Sequence, residues 1–142
     1  MIVAGNPEHG HAIAAGAGCT FNPACDRVIA NVRGEKLLGG VIYQGFKGAS
    51  IGIHAAGFDP HWLSNDMLWI SFSYPFEQLN VSKLIAQVPS SNRKALEFDL
   101  KLGFKEEARI ADAFIGADLL VLTMRRENCR WLKLKPRGAS NG

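Results

Sequence analysis

Asn92-Arg93-Lys94-Ala95-Leu96-Glu97-Phe98-Asp99-Leu100-Lys101-Leu102-Gly103-Phe104 is the most informative run in the chain. Asn92 can accept a bond from a free amide of a first helical turn. Gly103 is a typical helix terminator. Between them the pattern predicts a helix over Arg93–Leu102, with Ala95, Phe98 and Leu102 on one face. Glu97 and Lys101 are four apart and form a favourable pair on the wet side. The chain then leaves as a strand, Phe104–Ile110. It arrives by another, Val81–Val88, which Pro89-Ser90-Ser91 ends.

Further out, Asp26–Val32, Leu37–Gln44 and Ala49–Ala55 read as three strands of an antiparallel meander. The tight turn Arg33-Gly34-Glu35-Lys36 joins the first two. Gly39-Gly40 permits a bend or bulge in the second. In the third, Ile51 and Ile53 share one face and His54 takes the other. Met1–Ala4 is a short opening strand. A helix over Pro7–Ala15 follows, capped by Asn6 with Pro7 at its first position. After Ala55-Ala56-Gly57-Phe58, a helix runs from Pro60 or Ser64 to Gln78, with Asp59 as its cap in the longer version. Trp62, Trp69, Phe72 and Phe76 make an apolar stripe at helical period, and Pro75 disturbs the last turn. Downstream, Ala111–Gly116 is a turn, Asp118–Met124 a strand and Arg125–Leu132 a short helix packed by Trp131. The sum is a mixed α/β domain over 1–132, with a polar, disordered tail at 133–142.

This order of elements resembles the GCN5-related N-acetyltransferase family over roughly residues 1–126. Asn92, Ala95 and Leu102-Gly103-Phe104 stand where that family opens and closes its last major helix. Leu84-Ile85-Ala86-Gln87-Val88 fits the strand before it, and Leu38-Gly39-Gly40-Val41 fits the meander. Small acetyltransferase-like proteins of bacteriophages look particularly similar. The resemblance implies the acyl-CoA N-acyltransferase fold: a mostly antiparallel central sheet with flanking helices and two strands splayed around a thioester. It implies acetyl-CoA as the donor and a small-molecule or protein amine as acceptor. The family's Gln/Arg-x-x-Gly-x-Gly/Ala loop has no counterpart in Ala55–Asn65, where Gly57 is the only glycine. Asp99 takes the place of a Tyr proposed as general acid. With an ordinary carboxylate pKa of about 4 it is ionised at neutral pH, so water or another group is expected to return that proton.

Amide formation from a thioester needs a neutral amine, a donor to the carbonyl oxygen and both reactants held close. His54 is the candidate base, as an imidazole near neutral pKa. Backbone amides at Ala55 and Ala56 are the candidate donors. His61, Asn65 and Asn92 are candidate coenzyme contacts. The rival reading is a non-catalytic protein of this fold, for example a phage protein that binds a host factor.

Composition narrows the partners. Hydrophobic residues make up 47% and charged residues 20%, a globular balance. The net charge of +3 permits an anionic ligand, and no basic stripe points to nucleic acid. No segment reaches the roughly 20 apolar residues of a membrane helix. The start, Met1-Ile2-Val3-Ala4, has no basic segment of a signal peptide. The expected location is the cytoplasm, the host's if phage-encoded. Cys19, Cys25 and Cys129 are odd in number and widely spaced, so mostly buried thiols are expected rather than disulfides or a zinc site. His9 and His11 do not share a helix face, and no metal is expected. The aromatic stripe is core, with a homodimer face as its alternative use.

Overall fold

Asn6 accepts a hydrogen bond from the Glu8 amide at 3.0 Å, and Pro7 opens helix α1 (Pro7–Ala17) as its sequence predicts. The computed structural model describes residues 1–136. Strand β1 (Ile2–Ala4) precedes α1. After it come β2 (Arg27–Arg33), β3 (Lys36–Gln44), β4 (Ser50–Gly57), α2 (Asn65–Ser73), β5 (Lys83–Pro89), α3 (Arg93–Leu102), β6 (Lys105–Phe114) and β7 (Ala117–Arg125). The seven strands form one sheet in the order β1-β2-β3-β4-β5-β7-β6. Every pairing is antiparallel except β4 with β5.

The strand alternation divides the core between the two faces. Val41, Tyr43, Ile51, Ile53, Leu84 and Leu122 pack with α2 on one face. Val28, Ala30 and Ile42 pack with Ile13 and Ala14 of α1 on the other. The Gly39-Gly40 pair serves both. A Cβ on Gly39 would come within 2.7 Å of the Trp62 ring, and one on Gly40 would crowd Ile13 and come within 2.6 Å of the Ile29 carbonyl. A bulge in the β2–β3 register falls between Asn31 and Val32, beside this pair.

The central helix is shorter than its apolar stripe suggests. Ser64 has extended backbone and its Oγ accepts the Met67 amide at 3.2 Å, so α2 begins at Asn65. Asp59 is not its cap. The Asp59 carboxylate instead accepts the His61 amide at 2.8 Å and pairs with Lys36 at 2.9 Å. Trp62 therefore lies before the helix, buried, with its carbonyl accepting from Asn31 Nδ2 at 2.7 Å. Phe72 and Phe76 are core and Trp69 is half-buried, so the stripe faces inward.

Pro75 ends the α-helical pattern, as its missing N–H requires. A π-helical turn, Tyr74–Gln78, follows. The Ser71 carbonyl would have bonded an amide at position 75; the Tyr43 hydroxyl donates to it instead, at 2.6 Å.

Three edges differ from expectation. The predicted turn at 111–116 is strand through Phe114, because β6 pairs with β7 to Phe114↔Ala117. The predicted helix after β7 is two 3₁₀ turns, Arg126–Asn128 and Arg130–Leu134. Lys133 and Leu134 finish the second turn; residues 137–142 of the expected tail lie outside the described residues. Of the cysteines, Cys129 is buried, Cys19 half-buried and Cys25 exposed, since the loop before β2 carries Cys25 at the surface. Among the described residues no helix is long and apolar enough to cross a membrane.

Candidate active site

β4 and β5 pair at only three positions, Ser50↔Lys83, Ile51↔Leu84 and Gly52↔Ile85. Beyond them each strand keeps its other neighbour. β4 stays with β3 as far as Gly39↔Gly57, and β5 stays with β7 as far as Pro89↔Leu119. The two strands therefore part, and a cleft of about 820 Å³ fills the wedge. That volume lies within the usual range of small-molecule sites. Alternate residues of an extended strand turn their N–H and C=O to opposite edges. Past Gly52, half of the main-chain groups of β4 thus face the opening rather than a partner strand.

His54, Ala55 and Ala56 line the β4 wall, and Asn92 lines the end beneath α3. The Asn92 side chain caps α3 by accepting the Ala95 amide at 3.2 Å, which leaves its NH₂ without a bond among the described residues. His61 and Asn65 are not in the lining. The His61 side chain is 80% exposed with Nδ1 3.3 Å from Asp59. Asn65 is the exposed first residue of α2.

The structure adds lining residues that the sequence reading did not select, Ser71, Gln87 and Lys94, and it puts Asp99 on the same wall. Ser71 is buried and its hydroxyl has no partner. Lys94 places a cation in the first turn of α3. Its signal was present, two residues after Asn92 in the same motif. Asp99 is half-buried on the cleft side of α3, and its carboxylate makes no side-chain hydrogen bond among the described residues.

Three groups that line the cleft titrate away from their ordinary values. Burial lowers the His54 imidazole against the opposing pull of the Asp26 carboxylate, so it is neutral at pH 7. Burial pushes Asp99 up to about 6. The ordinary pKa assumed for it from sequence does not hold, and roughly one molecule in ten carries its proton at pH 7. Lys36, with the His61 amide, holds Asp59 down at about 2. Asp59 is therefore a fixed anion at the α2 end of the cleft. Together with the Ser64 cap, it leaves that helix start poorly suited to phosphate.

No protein-family model matches this chain, and no curated protein matches it. Solved structures do match in shape. A chimera of the Vibrio cholerae spermidine N-acetyltransferase SpeG with hSSAT superposes with a TM-score of 0.60 at 19% identity, covering 73% of this chain and 69% of that one. The Campylobacter jejuni N-acetyltransferase PseH, solved with acetyl coenzyme A, gives 0.57 at 18% identity, covering 72% and 70%. A Bacillus anthracis acetyltransferase of the GNAT family gives 0.60 at 12% identity, covering 84% and 87%. The chain has the fold of the GCN5-related N-acetyltransferases.

Proposed function

We propose that this chain is a GCN5-related N-acetyltransferase that moves the acetyl group of acetyl-CoA directly onto a primary amine, in the gap between β4 and β5. The observation that carries this reading is the three-residue pairing of those strands and the cleft that opens beyond it. The solved N-acetyltransferases of the same fold support it, PseH with its acetyl coenzyme A among them.

The residues present fit the donor unevenly. The free edge of β4 and the unpartnered Ser71 hydroxyl suit a chain bearing amides and a thioester. Lys94 and the Asn92 NH₂ suit phosphates at the α3 end. Asp59 does not, and the α2 end is left without a phosphate cradle.

Acetyl-CoA supplies an activated acetyl group whose C–S bond breaks as the amine nitrogen bonds the carbonyl carbon. Main-chain amides at His54–Ala56 stabilise the carbonyl oxygen as charge develops there. Two protons leave the nitrogen. The first passes from the ammonium to neutral His54, directly or through water, and on to solvent. The second replaces the proton that Asp99 delivers to sulphur. An enzyme of this kind works where acetyl-CoA is at hand, in the cytoplasm.

Titration calorimetry with acetyl-CoA tests the reading. One molecule should bind per chain, and a primary amine should then release free thiol. No heat and no thermal shift at millimolar acetyl-CoA would remove the enzyme. Retention of a stoichiometric protein partner after coenzyme is stripped away would mark the fold as a binding module instead.

A further inference from the structure

The parting of β4 and β5 has a second mouth, on the α1 face of the sheet. Gly52 and His54 turn to that face on β4, and Ile85 and Gln87 do so on β5. Gln44 joins them from β3 through its pairing with Gly52. With Lys47 these residues line a depression of about 270 Å³. It meets the large cleft at His54 and Gln87, which line both. The candidate base thus stands between a large chamber and a small one.

The charge in the small chamber is one-sided. No carboxylate lines it. Asp26 lies behind Gln44 and is 9% exposed. Its Oδ2 already accepts the Asn22 amide and Gln44 Nε2, both at 2.8 Å. Lys47 is exposed, its ammonium bonds only the Gly45 carbonyl at 3.1 Å, and it has no carboxylate partner among the described residues. The Gln87 carboxamide is exposed and makes no hydrogen bond among the described residues. A polyamine entering here would bring further cations toward Lys47, while the Asp26 carboxylate behind Gln44 is already held by Asn22 and Gln44. A carboxylate would find a cation and an amide donor.

We infer that the acceptor is a small primary amine carrying a carboxylate, an amino acid or a close relative, and not a polyamine. The inference rests on the acetyltransferase reading above. Lys47 pairs with the carboxylate, Gln87 hydrogen-bonds it, and the amine reaches His54 at the junction of the chambers. The step is the one already given: the C–N bond forms, the C–S bond breaks, and the ammonium proton goes to His54.

Thiol release from acetyl-CoA, measured with L-amino acids, their matching carboxamides and spermidine, tests it. The best amino acid should exceed its own carboxamide by about tenfold or more in kcat/KM. Lys47→Ala should bring that ratio to within about threefold, and Lys47→Arg should restore it, with acetyl-CoA affinity unchanged in both. Lys47 is a surface residue, so folding is not at issue. Preference for spermidine or the carboxamides overturns the inference. So does a ratio that Lys47→Ala leaves intact, or acetyl-CoA binding with no amine acetylated. Failure of acetyl-CoA to bind is a separate result: it removes the enzyme reading and this inference with it.

Discussion

Asp99 sits on the cleft wall with no side-chain partner, and its carboxyl is raised to about 6 because burial disfavours the charged form. His54, on the β4 wall, is moved the other way by the same cause. A neutral base and a partly protonated acid face one cleft, which is what proton traffic in both directions requires. The shift also has a sign for stability. A folded pKa above the unfolded value contributes stability that is full below about pH 4 and lost as pH rises through about 6. Asp99→Asn does not titrate. It should raise thermal stability at pH 7.5 by on the order of 1–3 kcal/mol, and the difference should close near pH 4. The same variant should abolish the limb of the rate profile that falls through about pH 6, while His54→Gln abolishes the limb that rises with pH below 6.5. Melting curves and thiol-release rates across pH 4–8 check both. A stabilised Asp99→Asn enzyme with an unaltered profile would leave Asp99 as wall only.

At the scale of elements, the α2 segment shows how one missing donor is made good elsewhere. Pro75 cannot bond the Ser71 carbonyl, and the hydroxyl of fully buried Tyr43 does so from the sheet. That single bond ties α2 to β3 beside the cleft, where Ser71 is part of the wall. Tyr43→Phe keeps the ring and strands the carbonyl in the core, at a cost of about 1–3 kcal/mol. Pro75→Ala restores the i→i+4 donor. In that background the Tyr43→Phe cost should fall by about 1 kcal/mol or more, because the carbonyl then has an amide to accept from. Urea unfolding of the four proteins in the cycle measures the coupling. Strict additivity would mean that Ser71 finds water when Tyr43 is cut back.

At the scale of the molecule, the readable parts were those set by local chemistry. The meander, the Asn92 cap and the Gly103 stop, with φ of 113°, follow from residues within a few positions of one another. The start of α2 stays open between Pro60 and Ser64 in the sequence because Asp59 and Ser64 are both good caps; a lysine on β3 decides for Ser64 by claiming Asp59. Of the candidate site, His54, Ala55, Ala56 and Asn92 line the cleft. Lys47 was out of reach of sequence, and so was the raised carboxyl of Asp99, because a chamber and a burial shift exist only after strands far apart in the chain have packed. The same long-range logic governs α3. No residue of that helix is fully buried, so the half-buried face of Ala95, Leu96, Phe98 and Leu102 on the core is joined by fastenings at its ends in holding it over the cleft. At its N-terminal side, Ser90 exchanges bonds with Asp118: its amide donates to the Asp118 carbonyl at 2.8 Å and its Oγ accepts the Asp118 amide at 2.9 Å. At the C-terminal side, Trp131 Nε1 donates to the Leu102 carbonyl at 2.8 Å and Arg130 donates to the Lys101 carbonyl at 2.6 Å. Trp131→Phe keeps an aromatic ring beside Phe72 and removes the N–H together with part of the indole's packing. It should lower global stability by about 1–3 kcal/mol. It should also raise amide exchange at Gly103 and Phe104, whose bonds to Leu100 and Asp99 close the helix. Acetyl-CoA affinity should fall by a few-fold as the Asp99 wall loosens. Exchange spectra and calorimetry on the one variant read both effects. Faster exchange with unchanged affinity would show that the wall holds its place without the C-terminal turn.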